Sequence, residues 1–316
     1  MIEKKIVIGE GGSYPLNGIL TLPDGASAEM PVPAVVLVHG SGSSNMDEKV
    51  GKLPPFKDLA EGLALKGIAS IRYDKRSFVH GRRMLKEGNI TVVRETIEDA
   101  VLAAGILRDE PCIAPGKIFI IGHSMGAMLA PRIDASGGDF CGLILMAGTL
   151  RTLEDVMMGQ NEDVLKEVKG LTSWIVKKQV EKLRKMFAPL HELNDEEAKK
   201  VKVGGGTTLY YFKEMGQHPA ADYLLASEKP VLVMQGAKDF QVSVEKDFNL
   251  YKDVLKDRPN VTFKLYEGLN HAFVPAIHSS IMKAKQEYGV EQHIGEEVIG
   301  DLAAWIHQQC GEEEIK

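Results

Sequence analysis

Lys117-Ile118-Phe119-Ile120-Ile121-Gly122-His123-Ser124-Met125-Gly126-Ala127-Met128-Leu129-Ala130 is the stretch that decides the fold. Its first part is an apolar, β-branched run, and its last part is helix-forming. Ser124 stands at the corner between them. Gly-x-Ser-x-Gly in that setting reads as a nucleophile elbow. Gly122 and Gly126 leave room for strand and helix to approach. Ser124 Oγ is then expected at the carboxyl end of a sheet. The Met125 N–H, in the first helical turn, points to the same spot as one oxyanion donor.

A serine hydroxyl is a weak nucleophile without a base, and the base needs an orienting acid. For an elbow of this kind the chain order is serine, acid, histidine. Downstream, Lys229-Pro230-Val231-Leu232-Val233-Met234-Gln235-Gly236-Ala237-Lys238-Asp239 is an apolar strand, a glycine turn and an aspartate. Asp239 is therefore the candidate acid. Its rivals are Asp247, inside a predicted helix, and Asp222 and Glu228, before the strand. Val261–Tyr266 alternates like a strand, and Glu267-Gly268-Leu269-Asn270-His271 follows it. Of the nine histidines, His271 has the order and topology of the base. Upstream, Pro33–Val38 runs into His39-Gly40-Ser41-Gly42. That turn is expected to supply the second oxyanion donor from the Ser41 N–H, with His39 shaping the loop. Two backbone donors aimed at one developing oxyanion stabilise a transition state by several kcal/mol, about 3 for a single donor.

Oxyanion turn, elbow, acid and histidine, in that order, resemble the α/β-hydrolase superfamily. His39-Gly40-Ser41-Gly42, followed by Phe56-Lys57-Asp58-Leu59-Ala60 and Arg72-Tyr73-Asp74-Lys75-Arg76, looks like a bacterial serine carboxylesterase group. That group sits with acyl-peptidase-like and dienelactone-hydrolase-like proteins. The resemblance implies an α/β-hydrolase fold, a mainly parallel sheet flanked by helices, and an acyl-enzyme mechanism without a cofactor. It implies a small-molecule acyl ester as substrate. Acyl thioesterase or peptidase/amidase activity uses the same groups and is the enzymatic alternative. A ligand-binding protein on a hydrolase fold is the non-enzymatic one.

Around this frame, strands alternate with helical periodicity, the pattern of right-handed crossovers in a parallel sheet. Leu150–Ser227 breaks the alternation. Residues 1–149 and 228–316 are therefore read as the hydrolase core and 150–227 as a helical lid over the strand ends. Tyr210 and Tyr211 concentrate aromatic surface there, and an acyl pocket needs apolar walls. They are the expected substrate contacts, against the alternative that they pack lid onto core. Gly204-Gly205-Gly206 reads as a loop rather than a phosphate cradle, since no lysine follows it as in a P-loop. The basic run from Lys75 to Lys86 follows a strand end and is expected as a solvated loop pairing with acidic lid residues, against the alternative that it borders the pocket and attracts an anionic substrate group.

A net charge of −6 argues against nucleic acid as a partner, since phosphate binding rests on Lys and Arg. The amino terminus has no apolar signal core, and no run of ~20 apolar residues spans a membrane. Cys112, Cys141 and Cys310 have no metal-ligand spacing, and an odd count suggests reduced thiols in cytoplasm. His278 and His293 lack a ligand-spaced carboxylate or cysteine, so no metal is expected. Homo-oligomerisation stays open.

Overall fold

The computed structural model describes residues 1–88, 90–204 and 206–311. β1 (Ile2–Ile8) and β2 (Leu16–Leu22) form an antiparallel pair at one edge. Charged Glu3, Lys4 and Lys5 on the outermost strand discourage edge-to-edge pairing. β3 (Val32–Val38) is a near-continuous apolar run, as expected of a strand covered on both faces. Pro55 opens α1 (Pro55–Leu65) at a position where no intrahelical amide partner is lost. β4 (Ala69–Tyr73), α2 (Arg76–Glu87) and α3 (Glu98–Asp109) follow. β5 (Ile113–His123) leads into α4 (Met125–Ile133), and β6 (Gly142–Met146) comes next.

The middle of the chain contains α5 (Leu153–Glu167), α6 (Gly170–Phe187), α7 (Asp195–Ala198), the small pair β7 (Lys202–Gly204) and β8 (Thr207–Thr208), α8 (Leu209–Gly216) and α9 (Ala220–Ala226). Gly205, the centre of the glycine triplet, lies outside the described residues. The core resumes with β9 (Val231–Gly236), α10 (Asn249–Leu255) and β10 (Val261–Tyr266). It closes with α11 (Ala284–Glu287) and α12 (Glu296–Gln309).

The main sheet has eight strands in the order β1-β2-β4-β3-β5-β6-β9-β10. The last six run parallel to one another, and the first two are the antiparallel edge. α1 and α12 bury Phe56, Leu59, Leu302 and Ile306 on one face. α3, α4 and α10 cover the other with Ala104, Leu107, Leu129 and Tyr251.

Two expectations change here. The 150–227 stretch is not uniform: α8 and α9 put Leu209, Tyr211, Phe212, Met215 and Leu224 into the same core cluster as the sheet. α5 and α6 form a hairpin whose outer side leaves Leu171, Trp174 and Ile175 exposed. The run from Lys75 to Lys86 is no loop. It is the start and body of α2, with Lys75 and Arg76 buried. Arg76 binds Asp99 and Glu98 of α3, and Arg83 pairs with Glu87 of its own helix rather than with 150–227.

Candidate active site

The elbow is a backbone device first. Ser124 sits at φ 54°, ψ −118°, a left-handed conformation that costs a non-glycine residue strain. Its N–H is held by the Met146 carbonyl at 2.8 Å. The flanking glycines are sterically required. A Cβ on Gly122 would lie 2.3 Å from the Gly126 carbonyl oxygen, and one on Gly126 would lie 2.1 Å from that of Val38. Only glycine lets α4 start this close to β3 and β5. The first two amides of α4, those of Met125 and Gly126, precede the first amide bonded to the Ser124 carbonyl, that of Ala127.

Asp239 and His271 each follow a strand. Gly236 ends β9, and a Cβ there would meet the Leu269 and Asn270 carbonyls at 2.4 and 2.6 Å, so glycine lets the histidine loop close over the acid. His271 Nδ1 is 2.6 Å from Asp239 Oδ2, and both residues are buried. Gln235 Nε2 donates to the same carboxylate at 2.8 Å, and the Gln241 and Val242 N–H groups donate at 2.7 and 3.0 Å. With Asp239 holding Nδ1, the other ring nitrogen, Nε2, is left for the cavity. The rival Asp247 points elsewhere: it accepts from Thr149, Arg151 and the Ser243 N–H.

Ser124 and His271 line one cavity of about 200 Å³ with Gly40, Ser41, Ser43, Ser44, Glu48, Lys49, Val50, Pro55, His123, Gln241, Ala272 and Tyr288. Ser41 thus stands in the same wall as the serine. His39 is buried behind that wall, with Nε2 2.9 Å from the Asn45 carbonyl. Burial, with Lys75 nearby, pushes its imidazole down to about 4.

Among the described residues, the cavity takes no wall from 150–227. That region reaches the rim through Gln160, whose Nε2 donates to the Gln241 carbonyl at 3.1 Å. Tyr211 is 4% exposed and donates to Glu95 Oε2 at 2.8 Å beneath the elbow. Tyr210 is half-buried with the Lys199 ammonium over its ring. Neither ring lies in the Ser124 cavity; Tyr288 and Gln241 occupy that wall instead.

Two charged groups beyond the predicted site residues back the site. Glu48 Oε2 lies 2.9 Å from His123 Nδ1, and Glu48 Oε1 accepts the Gly40 N–H at 2.6 Å. Burial alone would push the Glu48 carboxyl up, but His123 beside it holds it below the usual range. Burial alone would push His123 down, but Glu48 and the His271 carbonyl raise it. Lys75 is the second group. No periodic or motif signal marks Glu48, while Lys75 belongs to the Arg72–Arg76 stretch and the basic run, neither of which shows that it meets the Gly40 carbonyl. No cluster of three His, Cys, Asp or Glu able to hold a metal occurs among the described residues, and no described helix is long and apolar enough to cross a membrane.

Residues 29–275 match the model of a hydrolase family described as serine aminopeptidase, S33. The chain belongs to that family. Within the curated proteins it is 35% identical over 294 residues to Esterase EstD of Thermotoga maritima. The match takes in 92% of this chain and 65% of that protein, so the chain spans about two thirds of its relative's length. Est1E from Butyrivibrio proteoclasticus is similar in structure, with a TM-score of 0.59 at 14% identity, over 98% of this chain and 99% of that one. A Pyrococcus furiosus esterase gives 0.57 at 16%, over 98% and 91%. A puromycin-hydrolyzing peptidase of Mycobacterium tuberculosis gives 0.60 at 14%, over 99% and 40%. These structural likenesses establish the α/β-hydrolase fold of this family member.

Proposed function

We propose that the chain hydrolyses carboxylic esters of small molecules through an acyl-enzyme on Ser124. One observation carries the reading: Asp239 grips Nδ1 of a histidine that shares its cavity with the strained elbow serine. His271 Nε2 takes the Ser124 proton as Oγ attacks the carbonyl carbon. The Met125 and Ser41 N–H groups hold the oxyanion. Collapse breaks the carbonyl carbon–alkoxy oxygen bond, and the imidazolium returns its proton to the departing alcohol. A water deprotonated by His271 then releases the acid and restores Ser124. These residues complete the reaction, and no cofactor enters it.

The similarity to Esterase EstD supports an ester over an amide or thioester. The cavity is small, about 200 Å³, which suits a short acyl group. Nucleic acid is no part of the proposal. Cytoplasmic residence is part of it, consistent with Cys112 and Cys141 standing as free thiols.

Ser124→Ala is the direct test. Loss of the attacking group is expected to lower kcat on the order of 10⁶-fold with the melting temperature unchanged. Fluorophosphonate should label the wild type and leave the variant unlabelled. A variant keeping a tenth of wild-type turnover would overturn the mechanism. Across p-nitrophenyl esters, acetate and butyrate should outrun decanoate. Faster turnover of acyl-CoA thioesters or aminoacyl amides would shift the reading to those alternatives.

A further inference from the structure

The peptide that carries the second oxyanion donor is gripped from behind. The Gly40 carbonyl and the Ser41 N–H belong to one planar amide group. Lys75 Nζ donates to the Gly40 carbonyl oxygen at 2.7 Å, and Lys75 is 1% exposed. The neighbouring amide is held as well, by Glu48 Oε1 on the Gly40 N–H.

A buried lysine is costly to desolvate and normally sits against a carboxylate. Here the nearest carboxylate oxygen, Glu95 Oε1, is 3.7 Å from Nζ, farther than the carbonyl. Glu95 stands on the π-helical turn Val93–Ile97, a wide turn often found at functional sites, and its other oxygen is taken by the Tyr211 hydroxyl. The arrangement neutralises the ammonium at a distance and leaves its shortest bond to the backbone. Burial pulls the Lys75 pKa down, while Glu95 and Glu48 oppose that pull.

A donor on an amide oxygen draws electron density from the nitrogen and makes its N–H more acidic. Hydrogen bonds linked in this way strengthen one another, by roughly 10–30% per bond. The same bond fixes the plane of the amide and so the direction of the N–H.

We propose that Lys75 is a positioning residue of the oxyanion hole: bound to the Gly40 carbonyl, it orients and polarises the Gly40–Ser41 amide so that the Ser41 N–H stabilises the developing oxyanion. The proposal rests on the reading of Ser124 as nucleophile and Ser41 as donor. It gives the buried ammonium a task tied to the transition state rather than to substrate binding.

The test compares Lys75→Met, which removes the donor at similar volume, with Lys75→Gln, which keeps a neutral donor on a shorter arm. Turnover of p-nitrophenyl acetate is normalised to sites titrated with a fluorophosphonate, so that misfolded protein drops out. A trifluoromethyl ketone, whose serine adduct places an oxyanion in the hole, gives a second readout. Removing a whole donor costs about 10²–10³-fold in kcat, so loss of its orienting partner should cost about 10- to 50-fold. Lys75→Met should show that drop in kcat per titrated site with KM nearly constant, and ketone binding should weaken by a matching factor. Lys75→Gln should recover part of both. If Lys75→Met yields no titratable protein, Lys75→Gln must still show the two losses in step.

Turnover per site and ketone affinity within about twofold of wild type in Lys75→Met, or in Lys75→Gln where Lys75→Met does not fold, would overturn the proposal. So would a rise in KM alone. Ser124→Ala separates the two levels. If it stays active, the underlying reading falls. If it is inactive while the Lys75 variants are unaffected, only the role of Lys75 falls.

Discussion

The elbow and the α5–α6 hairpin are built on opposite terms. Around Ser124, backbone meets backbone: the missing Cβ atoms of Gly122 and Gly126 are replaced by carbonyls within 2.3 Å of where they would stand. Polar groups there are buried and multiply bonded, as at Asp239. On the hairpin, Gly159 lies in the middle of α5, and the nearest atom to a Cβ there is the Arg151 guanidinium at 3.4 Å. The hairpin's ion pairs, such as Arg184–Glu162 at 3.0 Å, are exposed at both ends and contribute under about 1 kcal/mol each. The difference teaches where sequence change is tolerated. At the elbow, one methyl group displaces a strand. On the hairpin, it adds helix propensity.

The sharpest break of that contrast lies between two buried aspartates. Asp239→Asn should lower kcat by about 10⁴-fold, because the amide no longer fixes the working tautomer of His271. Its buried carboxylate also accepts from Gln235, Gln241 and Val242, so some stability should go with the turnover. Asp247→Asn should cost stability alone, since Asp247 is fully buried and binds Arg151 at 2.7 Å, away from His271. A loss of about 3 kcal/mol in stability, with turnover per titrated site kept, is expected. Kinetics and denaturant melts on both variants decide it. An inactive, stable Asp247→Asn would return the acid's role to question.

Next in size is Gly126→Ala. Its Cβ would meet the Val38 carbonyl at 2.1 Å, so β3 or α4 must move. About 3 kcal/mol or more of stability should go, and the activity proposed for Ser124 with it. A variant with wild-type melting and activity would refute the close-approach account.

A similar magnitude is expected from acid. His39 titrates at about 4 in the folded chain against 6.5 for an ordinary histidine. Below pH 6.5 the unfolded chain gains a proton that the folded chain refuses, so stability falls steadily toward pH 4. The linked loss is about 3 kcal/mol. Above pH 6.5 His123, whose pKa is raised, acts with the opposite sign and loses its contribution as it deprotonates. Urea melts across pH 4–7 should therefore flatten on the acid side in His39→Gln. An unchanged acid limb would place the titrating group elsewhere.

The smallest effect belongs to the hairpin. Gly159→Ala should stabilise the protein by up to about 1 kcal/mol, the gain of alanine over glycine within a helix. Thermal melting measures it, and a destabilised variant would mean that Arg151 fills the space a methyl group needs.

Local signals carried much of the frame. Near-continuous apolar runs mark β3, β5, β6 and β9 because strands covered on both faces need no alternation. The glycines of 122–126, the proline opening α1 and the placement of Asp239 and His271 just past strand ends are all short-range features, legible residue by residue. The tertiary structure decided what depends on contacts between distant segments. It separated Asp239 from Asp247, which share a side of the chain but face different partners. It turned the basic run at Lys75 into a buried helix start whose ammonium meets a carbonyl 35 residues earlier. It put Tyr211 under the elbow against Glu95, 116 residues away, and Tyr288 into the cavity wall. Periodicity reports which face of an element is apolar. Which neighbour covers that face, and which polar atom ends opposite which, follows from strand order and packing that no single segment encodes.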